Sequence, residues 1–585
     1  MGQLVFQAAL GGQVALSGPN TASSFTLNVP AVSATLATTA ANTFTSDQTI
    51  NGLTVGEGGG AISSNTAVGA SALATNTTGA NNTAVGYQSL NKNTTGSPND
   101  AFGYQALYNN TTGTGNTALG YASLQSNTTG VSNVAIGQQA LQSNTTGQNN
   151  IAIGPYSLIT NVSSSYNTAV GFAALNLNTA SNNTAVGFEA LFKNTTGTPN
   201  DAFGYQALYN NTTGQYNVAV GLQALYSNTT GIENVAVGYN SLLSNTIGTT
   251  NTAVGRAALV NNTTGNRNVG VGSYVMYSNT TGGYNVGFGV QALNNNQTGA
   301  ANTAIGDATL FTNTASNNTA VGASALNKNT TGTPNDAFGY QALYNNTTGA
   351  YNVAIGYGSL TANTIGTNNT AVGLNSGASI TTGVSNVCLG LYSGYSTTAL
   401  TTGIQNICVG TNAHTSTAGA TNQIVIGYNG VGQGDNYVSI GVGGTNYIYN
   451  QFNTNATWTK ASDERIKQNI QDLDIGLNFI EKLKVKSYNW KPNNEYPTDI
   501  IGYSEENTQN TEATMYGMLA QDVKVAMDEL GYDHFGGWNV READGLQGVS
   551  NEMFVLPLIN AVKELAVKVA DLEAKLAGTQ ATPAA

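Results

Sequence analysis

Two residues in a short charged stretch could perform nucleophilic chemistry. The stretch TKASDERIKQNI spans residues 459–470 and contains Ser462 and, five positions later, Lys467. A serine hydroxyl is a weak nucleophile unless a neighbouring base takes its proton, and a lysine can be that base where burial lowers its pKa. Ser462 followed by Asp463 and Glu464 also suits a helix cap, with the acids at the positive end of the helix. From the local sequence alone, the helix cap is the favoured interpretation.

This stretch marks a change in composition. The 585-residue chain is only 8% charged, whereas an ordinary domain is about a quarter charged. All three Trp residues, and 12 of the 17 Lys and Arg residues, lie at or after Trp458. The preceding part is rich in Gly, Thr and Asn, which indicates many short strands and turns, whereas the part from about Tyr449 onward has the composition of a globular domain.

The overall composition makes several classes of function improbable. The net charge is −12 with a sequence pI near 4.5, so we expect no nucleic-acid binding, which would need a basic face. Two His and two Cys make a structural zinc site improbable, and we expect no metal and no cofactor. We also expect no membrane insertion, because no apolar run is long enough to span a bilayer, and the first residues lack the basic segment of a signal peptide.

A five-residue motif, Asn-x-small-large-Gly, repeats through most of the chain. It first appears as NTAVG, ending at Gly69, and its glycine recurs in 22 copies up to Gly427. Nearly every step is 17 residues, with two steps of 16 and one of 20. The alternation of small and large residues predicts a short strand with two different faces, one packing a core and the other lying against a close neighbour.

The rest of each repeat predicts a coil that stacks on the next. A leucine follows four residues after most of the glycines, as at Leu90, and then comes NTTG or a variant, which is typical of turns. A single unit cannot bury its apolar face, but stacked units can, so we predict a β-solenoid about 100 Å long. The repeats resemble the β-roll heads of trimeric bacterial adhesins. Their longer period leaves the coil shape and handedness open.

Some residues within the repeats have two interpretations. Asp100, Asp201 and Asp336 lie in a block that occurs three times nearly unchanged. We interpret them as turn residues, because hydrolysis of a glycan would need paired carboxylates. Cys388 and Cys408 occupy the same small position in adjacent repeats. They are interpreted as core residues rather than as a cross-link.

The C-terminal part predicts helices and an oligomerisation seam. A helix is expected in DIGLNFIEKL, a strand in VKSYNW and a further helix within YGMLAQDVKVAMDEL. The last segment has apolar residues at alternating intervals of three and four, which is a heptad seam that holds parallel chains together. The alternative is one amphipathic helix packed on its own domain, and we favour oligomerisation. The seam residues are Val555, Leu558, Val562, Leu565, Val569, Leu572 and Leu576.

Three segments, SDERIKQNI, YGMLAQDV and VLPLINAVKEL, resemble the intramolecular chaperone of endosialidase-type phage tail proteins. The resemblance covers roughly residues 458–576. It implies a domain that trimerises a fibre, guides its folding and then cuts itself off between Ala461 and Ser462. It also implies that Ser462 is the nucleophile and Lys467 its basic partner. Asp463 and Arg465 would position the strand or stabilise charge.

We therefore predict a mainly β, homotrimeric phage tail fibre for host attachment. Its expected parts are a virion-attachment segment (1–60), a β-solenoid shaft (61–448), a linker (449–461) and a small α/β chaperone and autopeptidase domain ending in a coiled-coil helix (462–585). Expected partners are a tail or baseplate protein at the N-terminus and a host glycan or surface protein. The protein would be made in the host cytoplasm and reside in the virion. The alternatives are a bacterial trimeric adhesin, which should carry a signal peptide and membrane anchor, and a polysaccharide-degrading tailspike.

Overall fold

The computed structural model of the chain has two compact units, residues 1–461 and residues 462–585. The residues that the structure describes are 14–16, 25–27, 47–50, 53–395, 399–443, 446–451, 459–460, 464, 467–500, 503–507, 511–541 and 544–580.

The first unit consists of short strands. It begins with β1 (Val14–Leu16), β2 (Phe25–Leu27), β3 (Gln48–Ile50) and β4 (Leu53–Gly56). One strand per repeat follows, and these are numbered β5 to β26. In order they are Thr66–Val68, Asn82–Val85, Asn99–Phe102, Asn116–Leu119, Val134–Ile136, Ile151–Ile153, Thr168–Val170, Asn183–Val186, Asn200–Phe203, Asn217–Val220, Val235–Val237, Thr252–Val254, Val269–Val271, Val286–Phe288, Thr303–Ile305, Thr319–Val321, Asn335–Phe338, Asn352–Ile355, Thr370–Val372, Val387–Leu389, Ile407–Val409 and Ile424–Ile426. The unit ends with β27 (Tyr437–Gly441), β28 (Tyr447–Gln451) and β29 (Thr459–Lys460).

These strands form a long parallel ladder with antiparallel strands at both ends. From β5 to β27, each strand pairs in parallel with the strand of the next repeat, so that Ala84 pairs with Ala101. At one end β3 and β4 add in antiparallel orientation, and at the other end β28 and β29 do so. The predicted mainly β solenoid of about 17-residue units is confirmed. In the N-terminal segment, β1 and β2 form a separate antiparallel pair.

The small residue of each motif, not the large one, faces the interior of the coil. Ala84 and Leu90 are completely buried, whereas Phe102 is 38% exposed. The interior of the coil has little free volume. In one coil, Val275 and Met276 occupy the positions that Ala and Leu usually hold, and the motif alanines nearest to them are replaced by glycine. A methyl group added at Gly287 would lie 2.8 Å from Val275 and 2.9 Å from Met276.

Asparagine side chains form two buried ladders along the solenoid. One ladder is formed by the asparagines of the motif, as where the side-chain amide of Asn116 donates to Asn99 Oδ1 at 3.1 Å. In the other ladder, Asn127 of an NTTG segment donates to Asn110 Oδ1 at 2.8 Å and to the Gly130 carbonyl of its own coil at 3.1 Å. Buried amides need such partners, because an unpaired one costs ~1–3 kcal/mol.

The NTTG segments therefore differ from the turns that the sequence predicted. Gly96 is not among the glycines with positive φ, and the segment needs glycine because a Cβ there would overlap the carbonyl oxygen of Gly113 in the next coil. The left-handed backbone lies elsewhere in the coil, at Gln88 (φ 56°) and at Leu90 (φ 46°).

The two 16-residue repeats interrupt the NTTG ladder. In the first of them, the segment around Asn178 is one residue shorter, and the Asn178 amide donates to the Ala180 carbonyl instead of to the preceding asparagine. Asn161 Oδ1 is left without a hydrogen-bond partner. The second 16-residue repeat shows the same change, because Asn296 Oδ1 also has no hydrogen-bond partner. Each shortened coil therefore interrupts the NTTG ladder once.

The C-terminal unit has a small mixed fold. Its elements are α1 (Leu477–Lys482), β30 (Val485–Tyr488), β31 (Met515–Met518), α2 (Ala520–Leu530), β32 (Trp538–Val540), β33 (Gln547–Val549) and α3 (Val555–Gln580). The strands form two antiparallel pairs, β30 with β31 and β32 with β33. Phe479 is completely buried at the centre of the core, with its ring centroid 5.1 Å from that of Phe535. The predicted helices and strand are present with slightly shorter bounds.

Candidate functional site

The residues predicted to cut the chain lie mostly outside the described residues. Ala461, Ser462, Asp463 and Arg465 are among those that the structure does not describe. Lys467 is described, and its side chain is exposed. Its backbone N–H donates to the carbonyl of Glu464 at 3.1 Å. The predicted roles of Ser462 and Lys467 thus remain predictions.

The helix-cap interpretation of Ser462 falls outside the described residues and stays a prediction. Residues 467–476 contain no helix, and α1 begins only at Leu477. The N-terminus of α1 is instead satisfied from α3, because the Leu477 N–H donates to Glu564 Oε2 at 3.0 Å. A negative carboxylate suits this position at the positive end of a helix.

The predicted heptad seam is helical and exposed. Leu558 and Leu565 are each 50% exposed, and Leu572 is 64% exposed. Near its start, α3 packs on the domain through another side, where Ala561 is buried, and Phe554, the residue just before the helix, is buried as well. The seam of α3 is therefore not covered by any described part of the C-terminal unit.

Three residues that sequence reasoning did not single out fix α3 against α1. The Asn560 amide donates to the Leu473 carbonyl at 2.6 Å, just before α1. Glu564 caps α1, and Gly476 leaves room for it, because a Cβ at this glycine would overlap the Glu564 carboxylate. Asn560 and Glu564 are separated by one turn of helix, and this spacing beside the seam was the signal that could have identified them.

Ion pairs join α2 to the elements packed around it. Lys482 contacts Glu529 at 2.7 Å, and Lys486 contacts Asp522 at 2.8 Å. The hydrogen bond from Lys486 lowers the pKa of Asp522, and the hydrogen bond from Lys482 lowers the pKa of Glu529. Both carboxylates are therefore held in their charged form at neutral pH.

On the outside of the shaft, the large residues of the motif form one apolar column. None of them is buried, and several are clearly exposed, including Leu119 (47%), Phe203 (40%) and Ile305 (40%). Monomeric proteins commonly expose apolar patches no larger than ~300–600 Å². A column with one such side chain in each of 22 coils is a candidate association surface.

The three repeated aspartates are not turn residues. Asp100, Asp201 and Asp336 lie in β7, β13 and β21, where their side chains are exposed on the outside of the coil. Each is two residues before the phenylalanine that precedes the motif glycine. The interpretation as turns was wrong because the strand starts at the motif asparagine, so the next residue already points outward. Each carboxylate lies in a different coil, six and eight repeats from the next.

The two cysteines meet in one column of the interior. Cys388 and Cys408 are direct partners in neighbouring parallel strands, both completely buried and both free thiols. A hydrogen bond with Cys408, together with burial, raises the pKa of Cys388 well above its usual range. Their placement agrees with the interpretation as small core residues.

The described residues provide no candidate metal site and no candidate membrane-spanning helix. No group of three or more His, Cys, Asp or Glu side chains there is arranged to hold a metal ion. None of the helices described combines the length and apolar character needed to cross a membrane.

Comparison with known proteins gives one match, which covers part of the C-terminal unit. Residues 462–532 match the family model of the chaperone of endosialidase. Neither the curated proteins nor the solved structures gave a match. The family is one of peptidases and implies a self-cleaving chaperone. A chaperone of this kind at the C-terminus, after a β-solenoid shaft, fits a tail fibre or tailspike.

Proposed function

We propose that this chain is a phage tail fibre for host attachment, and that its C-terminal unit trimerises and folds the shaft before releasing itself. One observation carries the proposal: the start of the family match coincides with the border between the two compact units. The family match begins at residue 462, and the two compact units also divide between residues 461 and 462. A removable folding domain needs such a border at its point of release.

The release step is intramolecular. Ser462 Oγ attacks the carbonyl carbon of Ala461 while Lys467 takes the hydroxyl proton. The C–N bond then breaks, the Ser462 nitrogen takes a proton, and the Ala461 acyl group is held as an ester on Oγ. Water hydrolyses this ester to give a carboxylate at Ala461 and a free hydroxyl on Ser462. Because the nucleophile is adjacent to the bond, proximity supplies much of the rate.

Two surfaces support a homotrimer. The exposed seam of α3 has the heptad spacing with which parallel helices associate. The apolar column of the shaft runs parallel to the ladder, so copies placed side by side in register match it coil by coil. Association through the seam sets that register at one end of the chain.

The remaining assignments follow from the proposed role. Residues 1–60 attach the fibre to a tail or baseplate protein, and the fibre binds a host glycan or surface protein. The protein is made in the host cytoplasm and resides in the virion. Cleavage makes assembly hard to reverse, so the trimer is trapped kinetically.

No observation favours the polysaccharide-degrading alternative. A glycosidase needs two carboxyl groups within about 5–10 Å of each other. Asp100 and Asp201 are six coils apart, which is about 29 Å at the spacing of stacked strands.

The proposal is tested by expressing the full chain with Ser462→Ala, Lys467→Ala and Ser550→Ala variants, followed by denaturing gels and intact mass measurement. We expect fragments 1–461 and 462–585 from the natural sequence and from Ser550→Ala, a control serine in the same unit. Ser462→Ala should stay intact, and Lys467→Ala should stay intact or be cut much more slowly. An uncut natural chain would refute the self-cleavage, and a cut elsewhere would refute the assigned residues.

A further inference from the structure

Two coils of the shaft are one residue shorter than the usual 17. They span residues 167–182 and 302–317 and are the seventh and the fifteenth of the 22 coils. In both, NTASN stands where a full coil has NTTG and two further residues. The short coils divide the rest of the shaft into blocks of six, seven and seven coils.

Between full coils, the NTTG corner (residues 127–130 in one coil) is bonded closely to the next coil. The N–H groups of Thr128, Thr129 and Gly130 all donate to the carbonyl of Thr145, at 2.9–3.3 Å. The side-chain amide of Asn144 donates back to Asn127 Oδ1 at 2.8 Å. Backbone and side-chain bonds together therefore close this corner.

The NTTG corner is open where a short coil follows. In the described coils on either side, none of the N–H groups of residues 162–164 donates to a backbone carbonyl, and Asn161 Oδ1 has no partner. The Ser164 hydroxyl still donates to the Thr179 carbonyl. At the second short coil, the N–H groups of residues 297–299 are likewise without a carbonyl acceptor in the described structure. The same loss beside the same short sequence indicates that the shortening causes it.

The short coils are also less bonded to the coil that follows them. Asn183 and Asn318 are the next motif asparagines, and their amides do not continue the motif ladder. They donate to Asn178 Oδ1 and Asn313 Oδ1 of the NTTG ladder instead, both at 3.3 Å. The strands nevertheless stay paired, since β11 pairs with β10 and β12, and β19 with β18 and β20. Each short coil is thus held at its strand and loosened at its NTTG corner.

We infer that the two short coils are joints, at which the shaft opens and bends before its other coils do. The inference does not depend on the proposed function. Each coil contacts only its neighbours, so a boundary with fewer bonds opens at a lower free energy than the boundaries on either side. Because the strands stay paired, bending that widens the NTTG corner separates no strands. The shaft therefore behaves as three stiff blocks linked by two joints.

The end of the NTTG ladder provides an internal control. Asn363 Oδ1 also lacks a partner, because Ile380 takes the place of the next ladder asparagine. The coil there has 17 residues, and the N–H groups of Thr364 and Ile365 still donate to the Thr381 carbonyl, at 2.9 and 3.4 Å. We expect no joint at this position, since the corner remains closed.

Hydrogen exchange of the full-length protein is the first test. The N–H groups of Leu293 and Asn295 donate to the short coil at 2.9 and 3.0 Å, and those of Leu124 and Ser126 make the same bonds between full coils at the same distances. We expect protection factors at least about tenfold lower for the first pair, and an ordinary protection factor for Leu360 beside Asn363. Equal protection of the two pairs, or equally weak protection of Leu360, would overturn the inference.

The second test restores the seventeenth residue. Ala315→Thr with a glycine inserted after residue 315 turns NTASN into NTTGSN, and Ala315→Thr alone is the matched control that keeps 16 residues. We expect the insertion to raise the protection of Leu293 and Asn295 about tenfold and to leave the other joint as it is. No increase, or the same increase from the control, would contradict the role of the coil length.

The converse variant creates a joint in the first block. Thr129→Ala with Gly130 deleted shortens a full coil, and circular dichroism checks that the strand content is kept. The N–H groups of Leu107 and Asn109 donate to this coil. We expect their protection to fall about tenfold, and unchanged protection would count against the inference.

Electron cryomicroscopy of the full-length protein tests the bending itself. We expect the angle between neighbouring blocks to vary at the two short coils, and the variation to disappear at residues 302–317 in the variant with the inserted glycine. A shaft that is straight at both short coils, or that bends equally at full coils, would show that they are not joints.

Discussion

The shaft and the C-terminal unit differ first in what their buried positions contain. Each coil of the shaft repeats the same few side chains, an alanine such as Ala101, a leucine such as Leu107 and two asparagines that bond to the coils on either side. The C-terminal unit instead has a single irregular core around Phe479. A column of identical coils distributes stability along its length, whereas a core centred on one aromatic side chain does not.

The two units also differ in their unsatisfied surfaces. Antiparallel strands cover both ends of the ladder, which limits pairing with other chains at its edges. A slow-forming β-structure is nevertheless prone to aggregation before those strands are in place. The C-terminal unit can associate through a local helix, α3, whose seam is already exposed. Under the proposed function, the part that associates early is therefore separate from the part that persists.

The largest expected effect comes from the seam of α3. Leu558→Glu combined with Leu565→Glu places charges in the proposed trimer contact, so we expect loss of the trimer and accumulation of the shaft in aggregates. Val567→Glu is the matched control, because Val567 is 63% exposed but lies off the seam. Light scattering and the soluble fraction after expression measure both outcomes. A soluble trimer from the double variant would contradict the role of the seam.

The next largest effect is expected in the core of the C-terminal unit and should leave the interior of the shaft unaffected. Phe479→Ala should cost the C-terminal unit about 3–5 kcal/mol, because it empties the centre of the only sizeable core among the described residues of that unit. In the uncleaved Ser462→Ala background, thermal unfolding followed by circular dichroism should show this unit melting earlier while the transition of the shaft is unchanged. A shift of both transitions together would mean that the two units do not unfold independently.

A smaller and local effect is expected in the shaft. Asn127→Ala removes the ladder bonds that join this coil to its two neighbours, at a cost of ~1–3 kcal/mol. Amide hydrogen exchange should quicken between residues 110 and 144 and stay unchanged beyond residue 250. Ser126→Ala changes a half-buried neighbour outside the ladder and should leave exchange as it is. Faster exchange along the whole shaft would contradict the nearest-neighbour account.

The smallest effect concerns acid stability. The pKa values of Asp522 and Glu529 are lowered in the folded protein, so their ion pairs stabilise the C-terminal unit above the ordinary carboxyl pKa near 4. That contribution is lost as the pH falls through the lowered values. Lys482→Met with Lys486→Met should therefore reduce the melting temperature of this unit at pH 7 and make no further difference near pH 2. Equal effects at both pH values would contradict the assignment.

The periodicity of the sequence was enough to predict the solenoid, its repeat length and the helical seam. It could not decide which strand face points inward, because alanine and valine are both apolar. In the structure, Ala84 and Leu90 belong to the same buried cluster, which shows that the alanine face points inward. The burial of the asparagines was not predicted, because a buried asparagine and a turn asparagine look alike until the next coil is in place. The residues around Ser462 stay a prediction, since they lie outside the described part of the chain.

We propose that the C-terminal unit is needed to form the shaft but not to maintain it. Refolding tests this most directly. Purified cleaved trimer of residues 1–461 and uncleaved Ser462→Ala trimer are unfolded in guanidinium chloride, diluted under the same conditions, and assayed for trimer by light scattering. We predict that both trimers are equally resistant before unfolding and that only Ser462→Ala recovers. Efficient refolding of residues 1–461 alone would contradict the account.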